Sequence, residues 1–314
     1  MPTDAATAVL ITLRDRVQAL HEAHVLVADS DPVSPEGASV LADAAARLGD
    51  VLAASSEVLD PARTEAVRSG VGHLGEFAEA VRAADAVADA AAAQLEEIPH
   101  ALVVGPVGDR TRHEARERRT TPAAALAEAA ASPAAQDLLH RADRLVVTPG
   151  PGAGAGRAAG TALCAAARAD LDAFTAMTDA LGDASGPGET LLRSLRGVAT
   201  RVASSVALAL DARDDGEKGS ATGGKGRKRA LRLVRAAGRV ADSAREVADL
   251  VATGRHLVDL ADLAHRRRDP GFTYGLLHAG ASAAEVRARA RLAEALDAAL
   301  DAARAKKLRS WLAD

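Results

Sequence analysis

Apolar residues recur at helical spacing along most of the chain. The pattern predicts helices over about 5–28, 37–56, 61–97, 109–131 and 133–147, and then over 158–182, 188–210, 227–267 and 270–312. Prolines lie at or near the first position of four of these segments, where a helix makes no use of the missing N–H: Pro35, Pro61, Pro133 and Pro270. Helices of this length favour packing as bundles, so the sequence predicts an all-α fold.

Two stretches interrupt the helical pattern. Residues 148–160 are rich in Gly and Pro and predict a flexible linker. Residues 211–226 are polar, rich in Gly and almost free of apolar side chains, which predicts a disordered loop. The first stretch divides the chain into parts of similar length, 1–148 and 161–314. The sequence therefore predicts two helical bundles in tandem, joined by a linker at 149–160.

The composition supports this fold and excludes several classes of protein. Aromatic residues make up 2% of the chain, so the core has to be built from Ala, Leu and Val. Alanine has the highest helix propensity, and a β-sandwich needs more branched and aromatic residues. A single cysteine, Cys164, excludes an internal disulfide framework and a multi-cysteine zinc site, and its apolar helical surroundings predict a buried structural thiol.

The chain has neither a membrane-spanning run of about 18 uncharged apolar residues nor a basic segment followed by an apolar one at its start. We therefore expect a cytoplasmic protein without membrane insertion. Its net charge of −4 argues against a general nucleic-acid binder. The charge is uneven, however, because residues 225–314 hold 19 Lys and Arg against 11 Asp and Glu. This excess permits a local polyanion site or attraction between the two parts of the chain.

The densest basic cluster lies at the start of the helix predicted over 227–267. Lys228, Arg232, Arg235 and Arg239 follow one another at steps of four, three and four, and Arg229 and Arg245 flank them. These steps place the four side chains on one helical face. Leu231, Val234, Ala237 and Ala241 are predicted to form the opposite, apolar face. The cluster is either a polyanion site or a basic face that is solvated or paired with acidic residues.

Other motifs do not predict a catalytic or metal site. Residues 219–225 match the spacing of a phosphate-binding loop, but Gly226 stands where Ser or Thr would bind Mg²⁺, and no strand precedes the motif. His21 and His24 share a helical face without further ligands nearby in sequence, so they are interpreted as ordinary helix residues. No spacing indicates a nucleophile with its base. We therefore predict a protein that is not an enzyme and has no metal or cofactor.

Several segments, taken in order, resemble the CHAD family of helical domains over about residues 5–314. They are 58–64 (VLDPART), 102–107 (LVVGPV), Ser132-Pro133 with Asp137-Leu138-Leu139, and 272–279 (FTYGLLHA). The resemblance implies two helical bundles related by internal pseudo-symmetry. It also implies that each half contributes a helix with a histidine and a series of basic residues to a channel for inorganic polyphosphate.

The family pattern is incomplete in this chain. In the second half, Arg232 takes the histidine position, Arg235 and Arg239 keep a positive charge, and Val240, Asp242 and Ser243 replace other signature residues. In the first half, the matching helix is 39–55, where Ser39 replaces the histidine, Ala42 replaces an arginine and Arg47 is retained. Arg82 matches a further family arginine. The resemblance implies a polyphosphate site that includes Arg232, Arg235, Arg239 and Arg47, and the basic run adds Lys228 and Arg229 to the predicted site.

Two functions follow from this sequence. The first is a non-enzymatic, cytoplasmic protein that binds inorganic polyphosphate or another linear polyanion through its basic helix. The second is a degenerate scaffold of the same fold, in which the polyanion site has been lost and the helical surfaces bind a protein partner.

Overall fold

A computed structural model describes residues 5–182, 188–214 and 223–313, and ten α-helices cover most of these ranges. The helices of the first half are α1 (Ala5–Ala28), α2 (Pro35–Ala54), α3 (Pro61–Glu97), α4 (Val107–Ala131) and α5 (Pro133–Val147). Those of the second half are α6 (Ala159–Gly182), α7 (Glu189–Asp214), α8 (Gly223–Arg266), α9 (Phe272–Arg304) and α10 (Lys306–Ala313). The predicted all-α fold is confirmed.

Side-chain caps explain why three of the helices start where they do. Ser34, Asp60 and Ser132 precede α2, α3 and α5, and each side chain accepts a hydrogen bond from the backbone N–H three residues later. A proline follows each of these caps at the first helical position. The cap satisfies an N–H that lacks a partner within the helix, and proline has none to satisfy there.

The predicted disordered loop at 211–226 is wrong at both of its ends. Residues 211–214 continue α7, and α8 already begins at Gly223. Gly226 is buried and packs directly against Trp311. A Cβ added at Gly226 would lie only 2.5 Å from the Cβ of Trp311, so there is no space for a side chain. Packing against α10 therefore holds the first turn of α8 in place although its residues are glycines and cations. Residues 215–222, which include the start of the 219–225 motif, lie outside the described ranges.

The helix predicted over 270–312 is two helices. Ala305 takes an extended conformation, with φ −61° and ψ 116°, and separates α9 from α10. The change of direction brings Leu308, Trp311 and Leu312 of α10 into the core, where α10 contacts α6, α8 and α9.

The two halves repeat one packing order. α2 packs against α1 and α3, and α3 packs against α4; in the same way α7 packs against α6 and α8, and α8 packs against α9. The halves meet where α2 contacts α7 and α3 contacts α8. One large core built mainly from Ala, Leu and Val includes side chains from both halves, and Cys164 is buried in it as predicted. The division of the chain into 1–148 and 161–314 stays a prediction.

A second, smaller apolar cluster lies where the end of α3 meets the end of α8 and the start of α9. It contains eight buried residues: Ala91, Val107, Leu257, Leu260, Ala264, Tyr274, Leu277 and Ala281. Thr273, at the start of α9, accepts a hydrogen bond from the Val104 N–H at 2.9 Å and links this end of the second half to the α3–α4 connection.

The glycine-rich stretch between the halves is bound to the turn between α2 and α3. The N–H groups of Gly152 and Gly154 donate to the carbonyls of Val58 and Glu57 at 2.9 and 2.8 Å, and the Asp60 N–H donates to the Gly150 carbonyl at 3.2 Å. Gly152 has to be glycine, because an added Cβ would lie 2.5 Å from the Leu59 carbonyl oxygen. We call this contact between 57–60 and 148–154 the backbone clamp. In the structure, the predicted flexible linker is a bonded segment.

Candidate functional site

An open groove with a volume of about 980 Å³ runs between the two halves, lined mainly by α2, α3, α7 and α8. Most of the groove-facing positions on α2 and α8 are Ala or Gly. A Cβ added at Gly49, Gly72 or Gly197 would meet no other atom within 4 Å, apart from its immediate surroundings in the helix. The scarcity of large side chains therefore leaves space along the contact between the halves.

The charges that line the groove are nearly balanced. Six arginines face it: Arg68, Arg82, Arg193, Arg196, Arg201 and Arg245. Five acidic residues also face it: Asp50, Glu76, Glu79, Glu189 and Asp249. A balanced lining attracts a polyanion much less than an all-basic one, because the carboxylates repel it.

Arg82 of α3 is the centre of an ion-pair network across the groove. Its guanidinium donates two hydrogen bonds to Glu79, at 3.0 and 2.9 Å, and two to Asp249 of α8, at 3.0 and 2.9 Å. Arg196 of α7 donates to Glu79 at 2.9 Å. Burial alone would lower the pKa of Arg82, but its hydrogen bonds to Asp249 and Glu79 outweigh burial and raise it. Burial would likewise raise the pKa of Glu79, but the hydrogen bond from Arg82 and the charge of Arg196 hold it below its usual value.

A second pair joins the two halves near this network. Arg245 of α8 donates to Asp43 of α2 at 2.7 Å, and both side chains are partly exposed. Arg82, Arg196 and Arg245 therefore already have carboxylate partners. A phosphate chain entering the groove would have to compete with these charge-assisted hydrogen bonds.

Asp50 gives the groove a charge that changes near neutral pH. Burial raises its pKa to about 7, although a hydrogen bond from Thr200 and the charge of Arg201 act in the opposite direction. The buried Nε of Arg201 has no hydrogen-bond partner in the described part of the chain. The groove thus combines the paired guanidinium groups of Arg82, Arg196 and Arg245 with a carboxyl group that is half-protonated near pH 7.

The residues predicted from the basic run lie outside this groove. Lys228, Arg232, Arg235 and Arg239 are exposed on α8, Arg229 is partly exposed, and within the described ranges none of the five forms an ion pair with a carboxylate. The four exposed residues, which we call the basic stripe, lie about a quarter of a turn around α8 from the groove-facing positions Arg245 and Asp249.

The apolar face of α8 differs from the predicted one. Ala237 and Ala241 are buried as predicted, but Leu231 is 38% exposed and Leu233 is fully buried in its place. Neighbouring helices cause this shift, because α7 and α9 together cover a wide face of α8.

Arg47, the sixth predicted site residue, is exposed on α2 and does not line the groove. The structure therefore brings four predicted residues together on α8 with Arg229 beside them, and leaves Arg47 apart in the other half.

The sequence interpretation missed the groove-lining arginines of α7. Arg193, Arg196 and Arg201 are spaced so that they share one side of that helix. This spacing is a usable signal, but the denser basic run of α8 outweighed it. Glu79 lies three residues before Arg82, a spacing that indicates an ion pair on one helix. The pairs of Arg82 with Asp249 and of Arg196 with Glu79 could not be found from sequence spacing, because the partners lie on other helices.

Within the described ranges, the helices include none that is long and apolar enough to cross a bilayer, and no group of three or more His, Cys, Asp or Glu is arranged to hold a metal ion.

Comparisons with known proteins agree with the fold. A search of curated proteins gives no match. Among solved structures, PptA from Streptomyces chartreusis superposes with a TM-score of 0.67 at 18% identity, covering 94% of this chain and all of that one. The CHAD domain from the plant Ricinus communis superposes with a TM-score of 0.56 at 16% identity, covering 97% of this chain and 94% of that one. The CHAD domain family model matches residues 9–216, two thirds of the sequence. The chain belongs to the CHAD domain family.

Proposed function

We propose that this chain is a non-enzymatic, cytoplasmic protein that binds inorganic polyphosphate or another linear polyanion on the basic stripe of α8. One observation carries the proposal: Lys228, Arg232, Arg235 and Arg239 are exposed on one helical face, and none of them is paired with a carboxylate within the described ranges. Arg229 lies at the edge of this face. Family membership supports the same ligand class.

The arrangement suits a linear, densely charged ligand. The four charges extend over about 16 Å of helix, and like charges one turn apart repel each other. A polyanion lying along the helix removes this repulsion and releases counterions into solution. Arginine is well suited to such a surface because its guanidinium stays charged and binds phosphate oxygens in pairs.

The groove is expected to contribute little to this binding. Arg82, Arg196 and Arg245 are engaged by Glu79, Asp249 and Asp43. Arg47 is separate from the stripe and offers only a single additional charge. We therefore expect weaker binding than in a relative whose groove is basic on both sides, and a steep loss of affinity as salt concentration rises.

The first prediction tests the basic stripe. We compare the binding of long-chain polyphosphate to the wild type and to an Arg232→Glu/Arg235→Glu variant, by calorimetry at low salt and again at physiological salt. The stripe variant should bind at least about tenfold more weakly at low salt, since each lost charge-assisted hydrogen bond removes roughly 1.5–3 kcal/mol before compensation. Circular dichroism confirms that the variant remains helical.

The matched control is Arg14→Glu/Arg116→Glu, which makes the same change in net charge at two exposed arginines on α1 and α4. It should bind polyphosphate almost as well as the wild type. If both variants lose affinity equally, the effect is one of net charge alone and the stripe is not the site.

If the wild type does not bind polyphosphate at low salt, the second candidate function is favoured, a scaffold for a protein partner. The observation that favours this function is the groove, which is open, lined by small residues and nearly balanced in charge. Such a surface suits the close approach of a protein segment better than that of a polyanion.

A further inference from the structure

A smaller cleft lies between α4 and the last part of α8, away from both the groove and the basic stripe. Its volume is about 310 Å³, at the lower end of the range of roughly 300–1,000 Å³ in which proteins bind small ligands. α4 contributes Glu114 and Arg118, and α8 contributes His256, Asp259, Leu260, Leu263 and Arg266.

His256 is a buried polar group in the wall of this cleft. Its residue is only 5% exposed, and its buried Nε2 has no hydrogen-bond partner in the described part of the chain. Burial lowers the pKa of the ring, Arg118 lowers it further, and Asp259 and Glu114 only partly oppose this, so the ring is neutral at neutral pH. Because buried polar atoms nearly always have a partner, the unpaired Nε2 points to one that the chain does not supply.

The charged groups around this ring are also unpaired. Arg118, Arg266, Glu114 and Asp259 all line the cleft, yet none of them forms an ion pair within the ranges that the structure describes. Two cations and two anions give the cleft a formal charge of zero. A simple anion would be repelled by both carboxylates, and a metal ion would be repelled by both guanidinium groups.

A ligand that carries both charges fits this lining. We propose that the cleft binds a small zwitterion of the α-amino acid class, with the buried His256 ring as a hydrogen-bond partner. The carboxylate of the ligand pairs with Arg118 and Arg266, and its ammonium group lies beside Glu114 and Asp259. Leu260 and Leu263 supply an apolar wall for the remaining part of the ligand. This site is independent of polyanion binding on α8.

The test reads the histidine itself. The full chain is labelled with ¹⁵N-histidine, the His256 ring signals are assigned as those missing from a His256→Gln variant, and the wild type is titrated at constant ionic strength. The probes are glycine, L-leucine, L-glutamate and L-arginine, with inorganic phosphate and ammonium chloride as carriers of a single kind of charge. At least one amino acid should shift the ring signals saturably, and neither single-charge probe should match it.

A pair of variants on one helix locates the site. Arg118→Gln should weaken binding of that amino acid at least about fivefold, whereas Arg116→Gln, which changes an exposed arginine of α4 outside the cleft, should leave it unchanged. The proposal is overturned if no amino acid shifts the His256 signals saturably. It is also overturned if phosphate alone binds as tightly, which would indicate an anion site, or if Arg118→Gln binds normally.

Discussion

At the scale of single residues, Asp50 shows how burial makes one carboxyl group sensitive to pH. The folded protein holds its pKa at about 7, against an ordinary value of 3.8 for an aspartic acid side chain. Between these two values the folded state binds a proton that the unfolded state has already released. The protein is therefore expected to lose stability as the pH rises from about 4 through 7, and this group opposes folding most strongly above neutrality.

The second prediction follows from this loss of stability with rising pH. Asp50→Asn keeps the shape of the side chain and removes the charge, so the variant should be more stable than the wild type at pH 8, by up to about 4 kcal/mol. The difference should shrink as the pH falls and should vanish near pH 4. Urea unfolding at several pH values measures it. A difference that stays constant across this range would show that the pKa of Asp50 is not raised.

Arg82, unlike Asp50, is a largely buried group whose charge is neutralised by two carboxylate partners. Its side chain is only 12% exposed and binds Glu79 and Asp249 together. Arg82 can be recognised in the sequence through the family resemblance. Asp249 could not have been identified as its partner, since the two residues are 167 positions apart and belong to different halves.

The third prediction concerns this pairing. Arg82→Met leaves the partly buried Asp249 without its cation and leaves Glu79 with Arg196 alone, and we expect the free energy of unfolding to fall by about 3–5 kcal/mol. The matched control is Arg68→Met, since Arg68 is 46% exposed and pairs with the exposed Glu65. Loss of an exposed pair should cost less than about 1 kcal/mol. Similar losses in the two variants, measured by urea unfolding, would contradict the role given to the network.

At the scale of helices, the local sequence predicts where a helix begins better than where a helix is interrupted. Ser34, Asp60 and Ser132 each cap a helix and are each followed by a proline at its first position. The starts of these helices agree with those predicted from the apolar pattern to within two residues. The break at Ala305 has no Gly or Pro to indicate it. The residue that packs beyond the break is Trp311, which is buried against the first turn of α8 and lies far from it in sequence.

The fourth prediction tests this contact with two glycines of the same turn. Gly226→Ala places a Cβ about 2.5 Å from Trp311 and should lower stability by about 1–3 kcal/mol. Gly224→Ala meets no other atom within 4 Å and should raise stability by up to about 1 kcal/mol, because alanine favours the helix. Thermal unfolding of the two variants in parallel measures both effects. Equal behaviour would mean that α10 is not packed against α8 as described.

At the scale of the whole molecule, the sequence indicates the charges but not where they neutralise each other. The basic excess of residues 225–314 is visible in the composition, and so is the stripe of α8. The balance within the groove is a tertiary property, since Arg196 meets Glu79 across 117 positions. A chain can thus keep the fold of its family while carboxylates from both halves form ion pairs with arginines along the groove.

The fifth prediction tests whether this internal pairing limits polyanion binding. Glu79→Gln/Asp249→Asn frees the guanidinium groups of Arg82 and Arg196, and polyphosphate should then bind at least about tenfold more tightly at low salt. The control Glu65→Gln/Asp137→Asn removes the same charge at two exposed positions. If both variants gain the same affinity for polyphosphate, the change reflects net charge alone, and the groove is not a latent polyanion site.

The backbone clamp brings together two points of the chain that lie about ninety residues apart. Asp60 bonds to Gly150, and the Arg63 side chain donates to the Thr148 carbonyl at 2.8 Å. The three helices α3, α4 and α5 therefore leave and return to the rest of the molecule at a single place. The clamp thus closes these three helices into a loop whose two ends are held together by main-chain hydrogen bonds as well as by the chain itself.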